Sequence, residues 1–356
     1  MPDSSKNKTP SSLNPNLKKL LAANKKHRLS ANAYAEAILA GDRVALGQAI
    51  TIIESVHAVD QKLAAEIIDE CLPYANKSIR IGITGAPGVG KSTFVEAFGS
   101  YLIDKGSKLA VLAVDPSSQL SGGSILGDKT RMERLSNNDA AFIRPSPSGT
   151  SLGGVARKTR ETMILCEAAG FDTILVETVG VGQSEIMVHS MVDLFLLLLL
   201  PGAGDELQGI KRGIVEMADI AIINKSDGDR LTLAKQTKRD YKNALHLFPP
   251  KDSNWTATAI ACSALHQEGM AEIREQVEQY FLLVKRNNFF QKNRQNQTKY
   301  WLTSSINQGL QDAFFKNEQI QKELANIEKA VLNNQLSPFQ GANSLLVFFK
   351  NLKDEK

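Results

Sequence analysis

The chain reads as an α/β protein. It has a mostly parallel sheet with helices on both faces, an N-terminal helical segment and a C-terminal helical arm. Three observations carry that reading. Short apolar runs alternate with longer stretches of helical periodicity, the signature of repeated strand–helix–strand units. Several runs stop on a polar or acidic residue, and parallel sheets bind ligands beyond the carboxyl ends of their strands. The run Leu194-Phe195-Leu196-Leu197-Leu198-Leu199-Leu200 is apolar throughout. A strand buried on both faces requires that, and the run is too short to cross a bilayer.

The elements follow in order. Residues 1–29 are rich in Ser, Asn, Pro and Lys, with Lys6, Lys8, Lys18, Lys19, Lys25, Lys26 and Arg28 set against Asp3. They read as a disordered, solvated basic tail. Residues 30–76 form a helical segment. Ile38 and Leu39 precede a Gly41-Asp42 break, after which Leu46, Ile50, Ile53, Val56, Leu63, Ile67 and Ile68 recur at helical spacing. Residues 77–285 carry the strands: 78–84, 109–115 ending in Asp115, 172–178 containing Glu177, the leucine run, 220–225 and 255–262. From 286 to 356 the pattern is again helical. A polar connection around Asn287–Gln297 leads to segments near 301–315, 318–332 and 339–352.

The bulk numbers exclude little but agree with this. A chain of 356 residues holds one large domain with appendages, or two domains. A net charge of +4 is too mild to imply a nucleic-acid partner. Three scattered cysteines, Cys71, Cys166 and Cys262, make no disulfide framework and point to a reducing compartment. No apolar leader is evident and the basic tail is Lys-rich rather than Arg-rich, so a cytoplasmic protein without a membrane partner is expected.

The segment Gly85-Ala86-Pro87-Gly88-Val89-Gly90-Lys91-Ser92-Thr93 has the spacing of a P-loop. Its glycines let backbone N–H groups crowd an anion without Cβ clashes. A strand precedes it and a helix follows, so the helix dipole adds to the phosphate site. Lys91 is placed to reach the β- and γ-phosphates, and the Ser92 hydroxyl to bind Mg²⁺.

A second signal is Asn224-Lys225-Ser226-Asp227 at a strand end. Asp227 can accept two hydrogen bonds from guanine, where adenine offers no donor. A site built on such an acceptor rejects the wrong base by roughly 10⁴. Asn224 would support the loop and Lys225 would pack over the base. The backbone at Ser263, Ala264 and Leu265 suits the guanine carbonyl.

Magnesium favours hard oxygen ligands. Asp115 and Glu177 close strands that are expected to flank the P-loop strand, and Asp128 lies in the glycine-rich stretch 122–132. The form of Glu177-Thr178-Val179-Gly180 is that of an acidic-x-x-Gly loop that senses a γ-phosphate.

Together these motifs resemble the MeaB/ArgK-type GTPases, chaperones of adenosylcobalamin-dependent acyl-CoA mutases in the signal-recognition, MinD and BioD class of P-loop proteins. The resemblance runs from about Ala35 to Leu346. It rests most on 85–93, 115–118, 122–132, 177–185, 201–211 and 224–227. It implies GTP hydrolysis to GDP, with Lys91, Asp115, Arg131 and Glu177 in catalysis and Ser92, Asp115, Asp128 and Glu177 around Mg²⁺. It implies that Asp205, Gln208 and Lys211 couple nucleotide state to a cobalamin-dependent acyl-CoA mutase, with methylmalonyl-CoA mutase foremost. It also implies a homodimer formed through the arm, where Trp301, Leu310, Phe314, Leu345 and Leu346 fit the pattern. No glutamine follows Gly180 directly, so no water-positioning role passes to Gln183, and slow intrinsic hydrolysis raised by the partner is expected. The dispersed histidines speak against a bare metal ion as cargo. A P-loop kinase of ArgK type and a GTP-dependent scaffold with negligible turnover are the alternatives.

Overall fold

The computed structural model describes residues 28–114, 132–145, 152–178, 184–202 and 212–354. These fall into two compact units. One comprises the chain up to Ser78 together with Glu161–Asp172; the other comprises Ile79–Arg160 and Thr173 onward.

The first unit contains α1 (Ala31–Leu39), α2 (Arg43–Glu54) and α3 (Ala58–Cys71). The Gly41-Asp42 break does what its chemistry suggests. Gly41 is left-handed, with φ 83°, and the Asp42 carboxylate caps α2 by accepting from Val44 N at 2.8 Å and Ala45 N at 3.1 Å. Tyr34, Ile38, Leu46, Ile50, Ile53 and Ile67 form its apolar interior. Val56 departs from the expected stripe: α2 ends at Glu54, so Val56 lies in the link to α3 and is exposed.

The second unit is built on seven parallel strands: β1 (Ile79–Gly85), β2 (Leu109–Val114), β3 (Ala141–Arg144), β4 (Thr173–Thr178), β5 (Leu194–Leu199), β6 (Ile220–Ile223) and β7 (Thr258–Ala261). Their order is β3-β2-β4-β1-β5-β6-β7. Between them run α4 (Lys91–Asp104), α5 (Glu133–Ser136), α6 (Leu152–Ala168), α7 (Ser184–His189), α8 (Arg212–Met217) and α9 (Leu231–His246). The Glu161–Ala168 part of α6 belongs to the first unit. After the sheet come α10 (Met270–Arg286), α11 (Phe289–Phe315), α12 (Glu318–Leu332) and α13 (Pro338–Asp354).

Alternate strand residues feed two cores. Ile81, Ile83, Leu196, Leu198, Ile222 and Ile260 pack with α4 and α10, whereas Leu197, Leu199, Ala221 and Ile223 pack with Ala234, Tyr241 and Leu245 of α9. Every residue of β5 is buried. At about 1.5–3 kcal/mol for each large side chain, this strand anchors the sheet. No described helix is long and apolar enough to cross a membrane.

Four expectations change. β2 does not flank the P-loop strand, because β4 is inserted between β2 and β1 and pairs with both. Only Glu177 therefore closes a neighbour of β1. The short edge strand β3 was not anticipated, since four residues carry too little periodicity. The run 255–262 narrows to Thr258–Ala261, the Trp255 indole donating instead to Asp219 O at 3.0 Å. The polar stretch 287–297 is not a connection: from Phe289 it is the start of the 27-residue α11.

Gly82 of β1 pairs with Phe195 of β5, whose ring lies over it. A Cβ at Gly82 would fall 2.7 Å from Phe195 Cδ2 and 2.9 Å from Val192 Cγ2. Gly82→Ala is therefore expected to lose about 1–3 kcal/mol by overpacking, against about 0.5–1 kcal/mol regained in backbone propensity. Chemical denaturation measures the net loss; an unchanged midpoint would contradict this packing.

Candidate functional site

The phosphate-binding pattern sits where β1 hands over to α4, at the carboxyl end of the sheet. Two of its glycines are required by particular neighbours. A Cβ on Gly85, at φ 154°, would meet Leu198 O of β5 at 2.5 Å. Gly90 caps α4 in the left-handed region at φ 92°, and a Cβ there would meet Asn224 Nδ2 at 2.8 Å. The loop is thus pressed against β5 on one side and the loop after β6 on the other.

Lys91 opens α4 and folds back over the loop. Its ammonium donates to Gly85 O at 2.8 Å and Ala86 O at 3.2 Å. Burial lowers its pKa, and the Glu177 and Glu185 carboxylates oppose that shift. A cation held at the mouth of a loop, with weak local partners, can transfer its hydrogen bonds to phosphate oxygens. Ser92 donates to Glu177 Oε1 at 3.1 Å. Glu177 is buried, and β4 lies beside β1 with Ile83 opposite Glu177. Strand order therefore brings these two oxygen donors together. Behind them the buried Thr178 hydroxyl donates to Thr84 Oγ1 at 2.9 Å.

Asn224 joins the loops. Its Nδ2 donates to Val89 O at 2.9 Å, and its Oδ1 accepts from Ala264 N at 3.1 Å and from the Cys262 thiol at 3.7 Å. Lys225 reaches across as well, its Nζ donating to Gly88 O at 2.8 Å. Its backbone is left-handed, with φ 58°, which costs a non-glycine residue about 1–2 kcal/mol. The Ser263 hydroxyl donates to Asp227 Oδ2 at 2.5 Å, which orients the carboxylate. The 263–268 loop is closed by paired hydrogen bonds between Ser263 and Glu268. Leu265 lies exposed on that loop. Burial pushes the Cys262 thiol up to about 12, with Asp227 and Glu272 adding to the effect, so it serves as a packed hydrophobe rather than a nucleophile.

The structure thus gathers Gly85–Thr93, Glu177, Asn224, Lys225, Asp227, Ser263 and Ala264 at the carboxyl ends of β1, β4, β6 and β7. Asp115, Asp128, Arg131, Asp205, Gln208 and Lys211 lie outside the described residues. Sequence reasoning gave no role to Glu185, although it closes the quoted stretch 177–185. It is buried in α7 and bears electrostatically on Lys91. A carboxylate after a Gly-rich loop was the available signal.

A phosphate loop strapped to an Asn-Lys-x-Asp loop defines a guanine-nucleotide P-loop protein. The family described as "Methylmalonyl Co-A mutase-associated GTPase MeaB" matches residues 46–319. The chain belongs to this family and is a GTPase. It is 48% identical over 312 residues to a putative GTPase of Caulobacter vibrioides, covering 88% of this chain and 95% of the relative. It is 46% identical to GTPase ArgK of Escherichia coli, covering 87% and 94% of the two chains. A mouse relative, named methylmalonic aciduria type A homolog, mitochondrial, is 43% identical over 88% of this chain and 78% of its own. Among solved structures, that of an LAO/AO transport system kinase superposes with a TM-score of 0.71 at 38% identity, covering 90% of this chain and 97% of that one.

Asn224→Ala removes both halves of the strap and leaves Val89 O and Ala264 N without this partner. A loss of about 1–3 kcal/mol in unfolding free energy is expected. Thermal or denaturant unfolding checks it, and wild-type stability would show that the strap is dispensable.

Proposed function

We propose that this GTPase is a chaperone of a cobalamin-dependent acyl-CoA mutase, methylmalonyl-CoA mutase foremost, whose hydrolysis gates adenosylcobalamin loading and protects the loaded enzyme. The family match over 46–319 carries this reading. The guanine-type loop supports GTP as the nucleotide.

In this reading Gly85–Thr93 wraps the phosphates and Lys91 exchanges its loop carbonyls for β- and γ-phosphate oxygens. Asp227 reads the guanine edge, while the backbone of Ser263, Ala264 and Leu265 lies near its carbonyl. Ser92 and Glu177 fit Mg²⁺, being hard oxygens 3.1 Å apart beside the phosphate loop. When bound, Mg²⁺ neutralises charge on the β- and γ-phosphates. Asp115 and Asp128 would complete the carboxylate set, and Arg131 would contact the phosphates. Phosphoryl transfer needs mainly positioning and charge stabilisation, so a partner that completes the site can raise a slow basal rate. Hydrolysis then changes what 122–132, 177–185 and 201–211 present to the mutase, with Asp205, Gln208 and Lys211 as the coupling positions.

The same proposal takes 77–285 as the GTPase domain, 30–76 as its helical prelude and 286–356 as an arm that forms a homodimer. Leu302, Leu310, Phe315, Leu332, Phe339 and Leu346 are exposed on that arm, which is more apolar surface than isolated helices usually leave in water. Trp301 and Leu345, by contrast, turn inward. A cytoplasmic setting accords with three buried cysteines that form no disulfide.

Two measurements test the reading. Asp227→Asn should lose the preference for GTP over ATP in competition binding; full preference would remove the base assignment. Lys211→Ala should keep intrinsic hydrolysis but lose stimulation by methylmalonyl-CoA mutase. Stimulation at the wild-type level would refute coupling through 201–211.

A further inference from the structure

Helix α11 carries Arg294, Gln297 and Trp301 at i, i+3 and i+7, so they share one face. All three end on the short turn at residues 190–193. The Arg294 guanidinium grips the Asp193 carboxylate with both arms, Nε to Oδ1 at 2.9 Å and Nη2 to Oδ2 at 2.7 Å. Gln297 Nε2 donates to Val192 O at 2.7 Å, and Trp301 Nε1 donates to Ser190 O at 3.1 Å. From α10 the Tyr280 hydroxyl donates to the Asp193 carbonyl at 2.7 Å. Two buried arginines lie near the Trp301 ring, Arg80 of β1 at 5.8 Å and Arg160 of α6 at 5.2 Å from its centroid.

Apolar packing alone would hold a helix against this body. Buried hydrogen bonds to successive carbonyls do more, because each works in only one orientation. The turn they hold has two neighbours that bear on the phosphate site. Before it lies α7, whose buried Glu185 acts on Lys91. After it runs β5, whose Leu198 carbonyl lies against Gly85. The turn is also tied to β1 itself, since Arg80 N donates to Asp193 Oδ2 and Asp193 N donates to Arg80 O, both at 2.8 Å.

We propose that Arg294, Gln297 and Trp301 are positioning residues for GTP hydrolysis: α11 holds the 190–193 turn, and through it α7 and β5, in the register that the phosphate site needs. The proposal rests on the GTPase activity and is independent of the mutase. The proposal further holds that the 190–193 turn shifts between the GTP and GDP states and carries its Trp301 partner with it.

Trp301→Phe keeps a ring beside the arginines and removes the Nε1–H donor. Gln297→Leu keeps the volume and removes the donor to Val192. In steady-state kinetics each should lower kcat for GTP by about tenfold or more, since misplacing reacting groups by about 1 Å costs up to about a hundredfold. KM for GTP should stay near the wild-type value. A purely structural role would lower the active fraction without this split, and circular dichroism with active-site titration corrects for it. Should Trp301→Phe fail to fold, Gln297→Leu decides. As a second readout, Trp255→Phe leaves Trp301 as the only one of the chain's two tryptophans. Its emission should differ between the GDP complex and the complex with a non-hydrolysable GTP analogue. Wild-type kcat in the folded variants, or identical emission in the two complexes, overturns the proposal.

Discussion

The Asn224 strap is the interaction on which the rest of the site depends. One side-chain amide uses its donor on Val89 O of the phosphate loop and its acceptor on Ala264 N of the loop after β7. Those segments lie far apart in the chain. Because an amide offers both donor and acceptor in one plane, it fixes their separation as well as their contact. Gly90 is the complement: any Cβ there would strike the Asn224 Nδ2. The strap is possible because β1, β5, β6 and β7 are consecutive in the sheet, so their carboxyl ends open onto one shelf.

The same sheet sets what lies on either side of the P-loop strand. Glu177 meets Ser92 because β4 is adjacent to β1. On the other side of β1, the fully buried β5 follows the turn that α11 grips. A rigid central strand transmits displacement rather than absorbing it, since close-packed interiors have little give. The phosphate loop thus has the Ser92–Glu177 contact on one side and, in our proposal, the turn held by α11 behind β5 on the other.

Much of the site was legible in the sequence. The glycine spacing of 85–93 and the tetrad 224–227 have few structural solutions, and strand ends bring them together in any doubly covered parallel sheet. Strand order was not legible. It depends on which face each connecting helix takes, and that placed β4, rather than β2, beside β1. Polarity misled at 287–297, where Arg294 and Gln297 are not solvated linker residues but donors to buried carbonyl and carboxylate oxygens. Periodicity cannot register a helix face whose partners are backbone atoms elsewhere in the chain. Trp301 was placed on the arm by the family resemblance; its indole N–H donates to Ser190 O, and Arg80 and Arg160 lie near its ring.

The central claim is that two strapped loops make this chain a selective guanine-nucleotide site. Calorimetric titration of the wild-type protein with GDP and with ADP, both with Mg²⁺, tests it most directly. The structure predicts binding of GDP and an affinity for ADP weaker by about 10⁴. Equal affinity for the two nucleotides would contradict it.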